Sequence, residues 1–549
     1  MQNAKPTLSD EFMPKFVTVL REGYRPADLR ADAMAGLTVA IVALPLSMAI
    51  AIASGVGPER GLFTAIVGGF LVSLLSGSRF QIGGPAGAFI VLVSSCLMQL
   101  GIEGLILATF ISGFLLVAVG ALRLGTYIKF IPYPVTVGFT AGIAVIILVS
   151  QMRDFFGLTL TGAEPSEILP KIEALWAART GVTWTALGLS LSTVVVIQGL
   201  KRLRPRWPGM LIAVSLAAVA AAAGLGVETI GSRFGELPRI LPAPALPSLD
   251  SALVLAALPY AVSFALLGAI ESLLSAVVAD GMSGRRHRSN AELIAQGVAN
   301  VGSAIFGGFC VTGTIARTAT NVRAGSHGPV SGMLHAVFLL GFMMIAAPLA
   351  AWIPLAALAG VLVVVAWNMF EKQEFWSLLR ASRADAAVVL VTFLLVVFRD
   401  LTEGIIAGTA LGGAVFIRRM SETARVEQDG AETTYDRADQ DHDVVVYRLR
   451  GAYFFGAAAS LGSVLDRIAE RPRALIVDFS DVPFIDSTGA RSFDLLARKL
   501  DRAGGKLVIA GASPEVRKML LGQGAREPHV AYRGTVQDAL QDFRLTKVA

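Results

Sequence analysis

The 549-residue sequence contains few charged side chains and almost no cysteine. Charged residues make up 16% of the chain and hydrophobic residues 54%, whereas soluble globular proteins carry roughly a quarter charged residues. The two cysteines, Cys96 and Cys310, lie in apolar segments and provide neither a disulfide framework nor the spacing of a metal site. The low fraction of charged residues and the high fraction of hydrophobic residues exclude an ordinary soluble protein. They indicate a polytopic membrane protein with a polar appendage.

Several functional signatures are also missing. The first residues, MQNAKPTLSDEFMPKF, lack the basic and then apolar layout of a cleaved signal peptide, so we expect insertion to depend on the first spanning helix. No G-x-x-x-x-G-K-[ST] loop is present, which disfavours an ATP-driven pump. No nucleophile and base set suggests an enzyme, and we expect no cofactor. The net charge of +6 comes from basic loops between apolar runs, so we expect no nucleic-acid partner.

Long apolar runs are what the sequence has instead. A spanning helix needs about 20 mostly apolar residues, and fourteen runs approach that length. They lie near 34–54, 61–77, 85–101, 105–122, 135–152, 182–199, 209–226, 253–278, 292–306, 311–322, 329–347, 354–369, 385–399 and 401–417. The runs at 85–101 and 311–322 are short or interrupted by glycine and proline.

Basic residues occupy alternate connections between these runs. If the N-terminus is cytoplasmic, the connections from even-numbered to odd-numbered runs should be basic. Those connections, with the segment after the last run, carry Arg79, Arg123, Lys129, Lys201, Arg202, Arg204, Arg206, Arg285, Arg286, Arg288, Arg323, Lys372, Arg380, Arg383, Arg418 and Arg419. A miscounted helix would invert the pattern, so we predict fourteen segments in the inner (plasma) membrane with both termini in the cytoplasm.

The composition changes after Arg419. The stretches DVVVYRLRG, ALIVDFSDV and KLVIAG are typical of strands, and GARSFDLLARKLDRAG has helical periodicity. We predict a cytoplasmic N-terminal segment (1–32), a transmembrane domain (33–420), a linker (421–442) and a cytoplasmic α/β domain (443–549).

Two glycine-rich stretches suggest an internal repeat. GGPAGAF (83–89) follows the first pair of runs, and GGFCVTG (307–313) follows the eighth and ninth. Repeats of seven runs would be inverted in the membrane, and interrupted helices in matching positions of such repeats indicate a transport site near the bilayer midplane. Two half-helix N-termini facing one another would bind an anion through backbone N–H groups. The alternative is that the glycines merely permit close helix packing.

The sequence resembles the SulP (sulfate permease) family of anion transporters. The resemblance rests on VALPLSMAIAIASGVGPERGLF, GSRFQIGGPAGAF and IESLLSAVVADGMSGRRHRSNAELIAQGVANVGSAIFGG, and on FIDSTGARSF, which resembles the Asp-Ser-x-Gly turn of a STAS domain. It implies fourteen segments in a seven-plus-seven inverted repeat, a core domain that moves against a gate domain, and substrate held between the third and tenth helices. Family members are commonly homodimers.

This resemblance gives Arg317 a candidate role. Its planar guanidinium suits an oxyanion beside the two helix N-termini, although it could instead pair with a core carboxylate. The other residues predicted to supply N–H groups and hydroxyls around the substrate are Gly84, Pro85, Ala86, Gly87, Ala88, Thr312, Gly313 and Thr314.

Glu271 is the candidate for ion coupling because it interrupts an otherwise uncharged eighth run. An intramembrane acid suggests a proton relay, and Ser275 lies one turn later on the same helix face. Sodium-coupled relatives have a further hydroxyl in the tenth helix, where this sequence has Ile315, so we favour a proton over sodium. The alternative is a static ion pair between Glu271 and Arg317.

The sequence also gives predictions for four further positions. Leu46 stands where the family usually has glutamine, which leaves the substrate's identity open. Arg79 is expected to anchor or pair structurally, and His335 to be a core residue with satisfied hydrogen bonds. Ser487 matches the serine that is phosphorylated in stand-alone STAS relatives, or it belongs to a helix N-cap together with Asp486.

The predicted function is secondary active transport of small oxyanions of the sulfate type, by proton symport and alternating access. Bicarbonate and C4-dicarboxylates such as fumarate or succinate are alternative substrates. An anion channel is an alternative mechanism, and a pure sensor is disfavoured by the full set of gate helices.

Overall fold

Apolar helices follow one another along most of the chain in the computed structural model. The structure describes residues 11–128, 131–162, 164–165, 167–204, 207–423, 425–428, 444–455 and 473–545. The chain divides into two compact units, residues 1–409 and 410–549. Lys129, Arg206 and most of the predicted linker 421–442 lie outside the described residues.

In the described part of the chain, eighteen helices (3₁₀ turns left out) and two very short strands precede the C-terminal sheet. The helices are α1 (Lys15–Glu22), α2 (Pro26–Ala53), α3 (Pro58–Leu75), α4 (Ile90–Ala121), α5 (Gly125–Ile128), α6 (Tyr133–Phe156), α7 (Ile168–Ala177), α8 (Trp184–Leu203), α9 (Gly209–Ala222), α10 (Ile230–Phe234), α11 (Ser251–Ser283), α12 (Ser289–Ile305), α13 (Ile315–Arg323), α14 (Val330–Ala350), α15 (Leu355–Met369), α16 (Lys372–Ala381), α17 (Arg383–Phe398) and α18 (Leu401–Thr423). The strands are β1 (Gly83–Gly84) and β2 (Thr312–Gly313).

Nine helices in the described part of the chain are long and apolar enough to cross a membrane. They are α2, α3, α4 with the turn before it, α6, α8, α11, α14, α15 together with α16, and α18. The α9 helix is a shorter apolar helix. Spanning structures in a bilayer must satisfy their backbone internally, which is why these runs are helical.

Local chemistry sets where several of these helices begin and end. Pro26 and Pro58 occupy the first positions of α2 and α3, where the missing N–H has no intrahelical partner to lose. The Asp250 carboxylate accepts a hydrogen bond from the Leu253 N–H and caps α11. The α11 helix ends before Gly284, whose φ of 70° is the left-handed conformation that glycine adopts readily.

The helices of the first unit pack in two sets. In one set, α4 packs against α11 and α12, α14 packs against α2 and α3, and α13 packs against α11. In the other, α6 packs against α15 and α17, and α8 packs against α9 and α15. The α15 and α9 helices also contact α2, which joins the sets.

Within the first set, the backbones of α4 and α12 approach each other closely. A Cβ on Gly113 would lie 2.6 Å from the Gly297 carbonyl oxygen, and a Cβ on Gly297 would lie 2.5 Å from the Gly113 carbonyl oxygen. Small residues of this kind let helix backbones approach closely in a membrane. Since the opposing atoms are backbone, any side chain here must push the helices apart.

We expect Gly297→Ala to destabilise the protein by about 1–3 kcal/mol, the usual cost of overpacking a tight interior. The matched control is Gly188→Ala on α8, where an added Cβ meets no atom within 4 Å. The measurement is the thermal unfolding midpoint of each purified variant in the same detergent. Equal midpoints for the two variants would show that the α4–α12 contact is looser than described.

The amphipathic helix α1 docks against the connections that follow α3 and α11. The Lys15 N–H donates to the Ser76 carbonyl at 2.9 Å. Glu22 forms an ion pair with Arg79, the structural pairing predicted for that arginine. Burial lowers the pKa of Lys15 from 10.5 to about 8, and the positive charges of Arg288 and Arg79 lower it further in the same direction.

Docking of α1 should therefore tighten as the pH rises from about 8 to 10.5. In this window the released segment binds more protons than the docked one, because only the released Lys15 keeps its ordinary pKa. We expect chymotrypsin cleavage near Phe16, normalised to a peptide reporter, to slow as the pH rises through this range. Lys15→Met should slow cleavage below about pH 8 and remove the pH dependence.

The control for this prediction is Arg21→Met, which removes an exposed positive charge from the same helix. It should keep the pH dependence of the wild-type protein. A pH dependence that persists in Lys15→Met but not in Arg21→Met would contradict the assignment.

The second unit contains a five-stranded sheet in the order β3-β4-β5-β6-β7. The strands are Arg425–Gln428, Val444–Arg450, Ala474–Asp481, Lys506–Ala510 and Val530–Arg533. The β3 strand is antiparallel to β4, and the remaining pairs are parallel. The helices α19 (Ser487–Arg502), α20 (Pro514–Gly522) and α21 (Val536–Leu545) follow β5, β6 and β7. The α/β character predicted for this region is confirmed.

Two details of this unit bear on the sequence predictions. The α18 helix continues to Thr423 and β3 begins at Arg425, so regular structure reaches into the stretch predicted as a linker. The Asp486 carboxylate caps α19 by accepting a hydrogen bond from the Gly489 N–H at 2.7 Å. Ser487 is the first residue of that helix and is exposed.

Candidate functional site

Two breaks in the helical structure meet inside the first unit. The β1 and β2 strands pair antiparallel, with Gly83 opposite Gly313 and Gly84 opposite Thr312. The Thr314 N–H extends the pairing by donating to the Ile82 carbonyl at 3.0 Å. Extended backbone inside a membrane protein must find partners of its own, and here each break supplies them to the other.

A helix begins immediately after each strand. A 3₁₀ turn at Gly87–Phe89 leads into α4, and Thr314 precedes the first residue of α13. Neither start is capped by a side-chain hydrogen bond. The first N–H groups of both helices, with their positive dipole ends, are thus brought to the same place, an arrangement suited to a negative charge.

Arg317 lies one turn into α13 and is almost completely buried, with 1% of its surface exposed. Its Nη2 donates to the Ser47 hydroxyl at 3.1 Å and to the Pro85 carbonyl at 3.4 Å. Its Nε and Nη1 have no hydrogen-bond partner among the described residues. A buried guanidinium with unused donors is costly unless another group supplies acceptors, so one edge of this fork is available to an anion.

Glycine at position 84 makes room for this guanidinium. A Cβ there would overlap the Arg317 Nη1. A Cβ on Gly313, in the facing strand, would overlap the amide of Gln81. Glycine at both positions is therefore required by the side chains that cross behind the strands, as well as by the backbone pairing.

Glu271 is buried in α11, next to this pairing. One turn before it, the Gly268 carbonyl accepts a hydrogen bond from the Thr312 hydroxyl at 3.1 Å. In the described part of the chain the Glu271 carboxyl has no hydrogen-bond partner and forms no ion pair with Arg317. The static pair considered from the sequence is therefore not formed in this structure.

Ser275 lies one turn after Glu271 and takes part in a polar network. Its hydroxyl lies 3.1 Å from Gln81 Oε1 and 3.1 Å from the Thr318 hydroxyl. Gln81 Nε2 donates to the Ser272 carbonyl at 2.9 Å, and Thr318 Oγ1 accepts the Ile82 N–H at 3.1 Å. This network ties α11 and α13 to the chain segment that enters β1.

Ser47, Gln81 and Thr318 belong to the site but were not found from the sequence. Gln81 is two residues before the first glycine pair, and Ser47 is two residues after Pro45 in α2. Their proximity to the interrupted helices is a signal that could have identified them as site residues. A polar residue in an apolar helix does not, however, reveal which neighbour it faces.

The predicted substrate residues are close together in the structure. Gly84, Thr312 and Gly313 form the strand pair, the Pro85 carbonyl contacts Arg317, and Thr314 is the residue before α13. Ala86, Gly87 and Ala88 form the turn into α4, where a Cβ on Gly87 would lie 2.8 Å from Ile147 Cδ1 of α6. Leu46 is buried in the apolar core.

His335 is a core residue as expected, but the prediction that its hydrogen bonds are satisfied was wrong. Its side chain is fully buried in α14, but neither ring nitrogen has a hydrogen-bond partner among the described residues. It packs against Gly69 of α3, where an added Cβ would lie 3.8 Å from His335 Cε1.

Residues 29–392 match the Sulfate permease family, and residues 435–539 match the STAS domain. The chain belongs to the sulfate permease family. It is therefore an anion transporter with a C-terminal STAS domain and not an enzyme, and it is a multi-pass membrane protein.

Relatives of this sulfate permease family member are similar over almost their whole length. The Bacillus subtilis protein named "Putative sulfate transporter YvdB" is 39% identical over 91% of this chain and 94% of its own. The bicarbonate transporter BicA of Picosynechococcus is 30% identical over 90% of each chain. The inward-facing murine Slc26a9 anion transporter has the same fold, with a TM-score of 0.85, 18% identity, and coverage of 99% of this chain and 96% of that one.

We expect Gly84→Ala to impair anion uptake by displacing the Arg317 guanidinium. The new methyl group meets the flexible end of a side chain and not backbone, so we expect little loss of thermal stability. Losing a charge-assisted hydrogen bond should weaken apparent anion affinity by roughly tenfold or more. The measurement is the KM of labelled sulfate uptake into proteoliposomes.

The control is Gly281→Ala, near the end of α11, where an added Cβ meets no atom within 4 Å. It should leave the KM unchanged. Wild-type KM in Gly84→Ala would show that the position of the guanidinium does not matter for uptake.

Proposed function

We propose that the protein is a secondary active transporter of small oxyanions of the sulfate type. It holds the anion between the helix starts that follow β1 and β2, and it couples uptake to protons. The observation that carries the proposal is the buried Arg317, whose Nε and Nη1 lack partners beside two uncapped helix N-termini. An oxyanion supplies acceptors for all of these donors at once.

Sulfate is the preferred substrate because its oxygens can bridge donors on both helices and the guanidinium. The name of the B. subtilis relative agrees with this choice. Bicarbonate is the second candidate, since two relatives are named as bicarbonate transporters and a planar carboxylate also fits one edge of a guanidinium. A C4-dicarboxylate remains a third possibility within the same site chemistry.

Glu271 is proposed as the proton carrier. Its buried carboxyl has no cation or donor beside it among the described residues, and burial without a partner favours the protonated form. Sodium is less suited to this site. The hydroxyl of Ser275 is already engaged with Gln81 and Thr318, and Ile315 contributes no oxygen. A channel would need no such carrier.

Fourteen membrane segments in two inverted groups of seven account for the helices observed. The nine long helices become ten if α4 and its preceding turn are divided at Gly101, whose φ of 68° and ψ of −170° are not helical. The shorter helices α9, α12, α13 and α17 complete the fourteen. The strand pair β1–β2 joins the third and tenth segments of this scheme.

Alternating access would then arise from motion between the two sets of helices. The set containing α2–α4 and α11–α14 corresponds to a core domain that carries the anion. The set containing α6, α8, α9, α15 and α17 corresponds to a gate domain, with α18 as its last member.

The basic connections support cytoplasmic positions for both termini, and so for the STAS domain, in the inner (plasma) membrane. A homodimer is proposed from the family resemblance. Phosphorylation of Ser487 is proposed as a regulatory event, because the serine is exposed at a helix start where added negative charge is favourable.

The decisive experiment is uptake into proteoliposomes with an imposed inward proton gradient. Labelled sulfate, bicarbonate and fumarate are compared, with and without sodium, for the wild-type protein and Glu271→Gln. We expect the gradient to stimulate uptake of sulfate in the wild-type protein. Glu271→Gln should lose this stimulation, because an amide cannot carry a proton.

The matched control is Glu103→Gln, which changes an exposed acid of α4 and should behave like the wild-type protein. Stimulation that survives in Glu271→Gln would remove the carrier role while leaving the anion site intact. Sodium-driven uptake would contradict proton coupling. Preferential uptake of bicarbonate or fumarate would replace sulfate as the substrate.

A further inference from the structure

Exposed tryptophan and basic side chains gather at one end of the second set of helices. Five residues form this patch, which we call the basic-aromatic surface: Lys201, Trp367, Lys372, Trp376 and Arg380. Trp367 lies near the end of the apolar helix α15, and α16 carries the next three. The two indoles are 60% and 55% exposed.

The amphipathic helix α16 orients most of this surface. Phe375 is buried against Phe393 of α17, with ring centroids 5.5 Å apart. Leu378 and Leu379 pack against the same cluster. Lys372, Trp376 and Arg380 are spaced four residues apart, so they follow one another along a different face of the helix.

Cations from two separate helices meet beside Trp367. The Lys372 ammonium lies 3.0 Å from the centre of the Trp367 ring, in a cation–π contact. The Lys201 ammonium, at the end of α8, donates to the Asn368 side chain at 3.2 Å. Lys201 and Lys372 are thus held around two adjacent residues of α15, although they are far apart in the sequence.

The carboxylates of Glu371 and Glu374 lie close to these cations in the sequence, but they form no direct ion pair with them among the described residues. In the part of the chain that the structure describes, Lys201, Lys372 and Arg380 form no ion pair. Two exposed arginines elsewhere, Arg399 and Arg418, are by contrast paired with Glu403 and Glu422.

We propose that the basic-aromatic surface binds the headgroup of an anionic phospholipid. The site lies where an apolar helix gives way to a polar connection, which is the level of the bilayer interface. Tryptophan is favoured at that level because its ring is apolar and its N–H is polar. The ammonium and guanidinium groups, which form no ion pair among the described residues, complement a phosphate diester, and the neighbouring indoles favour a lipid headgroup at the interface over a soluble anion.

The experiment compares lipid retained by the purified full-length protein. Wild-type protein in detergent is equilibrated with equal amounts of phosphatidylglycerol and phosphatidylcholine of the same acyl chains. It is then separated from free micelles, and the bound lipid is quantified by mass spectrometry. We expect the wild-type protein to be enriched several-fold in phosphatidylglycerol. The double variant K372Q/R380Q should lose most of this enrichment.

The matched control is R399Q/R418Q, which removes two exposed positive charges that are already paired with acids. It should keep the wild-type enrichment. Because the changed residues are on the surface, each variant should elute as the same monodisperse species. No enrichment in the wild-type protein, or equal enrichment in K372Q/R380Q, would overturn the proposal, as would a parallel loss in the control.

Stabilisation of the protein against thermal unfolding by anionic lipid is an independent test of the same site. Vesicles of phosphatidylcholine with added phosphatidylglycerol should raise the unfolding midpoint of the wild-type protein more than pure phosphatidylcholine vesicles do. This difference should shrink in K372Q/R380Q and persist in R399Q/R418Q. An undiminished difference in K372Q/R380Q would locate anionic lipid elsewhere on the protein.

Discussion

Inside a bilayer an extended backbone has no water with which to form hydrogen bonds, and this constraint organises the proposed anion site. The chain leaves helical conformation at Gly83–Gly84 and again at Thr312–Gly313. Each segment alone would bury unpaired N–H and C=O groups, at a cost of several kcal/mol per group. Paired with each other, they become a stable support from which two helices begin. The pairing of β1 with β2 therefore satisfies the backbone hydrogen bonds and forms the proposed site at the same time.

The two buried charged residues near this strand pair lack hydrogen-bond partners for some or all of their polar atoms. Arg317 uses one nitrogen of its fork on Ser47 and Pro85, while Glu271 has no partner among the described residues. A fully satisfied network made of Gln81, Ser275 and Thr318 lies next to them. The contrast supports the proposed roles of Arg317 and Glu271, since unsatisfied buried polar atoms are rare in protein interiors.

Sequence periodicity and composition predicted much of this structure. The apolar runs predicted helices, because only helices satisfy the backbone of a single span in lipid. The two glycine-rich interruptions predicted the place where Gly84 and Thr312 meet. Asp486 and Ser487 were predicted to belong to a helix N-cap, because short polar side chains before a periodic run favour that position. In the structure Asp486 is the residue that caps α19.

The sequence did not reveal which way individual polar side chains point, or which residues remote in the sequence they contact. Gln81, Thr318 and Ser47 are polar residues in apolar surroundings, and their partners come from helices remote in sequence. His335 was expected to be satisfied because most buried histidines are, yet its neighbour on α3 is Gly69, which has no side chain to offer. The docking of α1 through Lys15 was not predicted either, because the amphipathic pattern of a short helix does not identify the surface that it covers.

The backbone contact between Gly113 and Gly297 has a mechanical consequence. The α4 helix continues the chain from β1, and α12 leads the chain into β2, so the two sides of the proposed anion site are attached to helices that pack closely at Gly113 and Gly297. Sliding one helix past the other would bring carbonyl groups and the side chains of Val117 and Val301 into conflict. In the proposed transport cycle, the two sides of the site would therefore move together as one rigid unit.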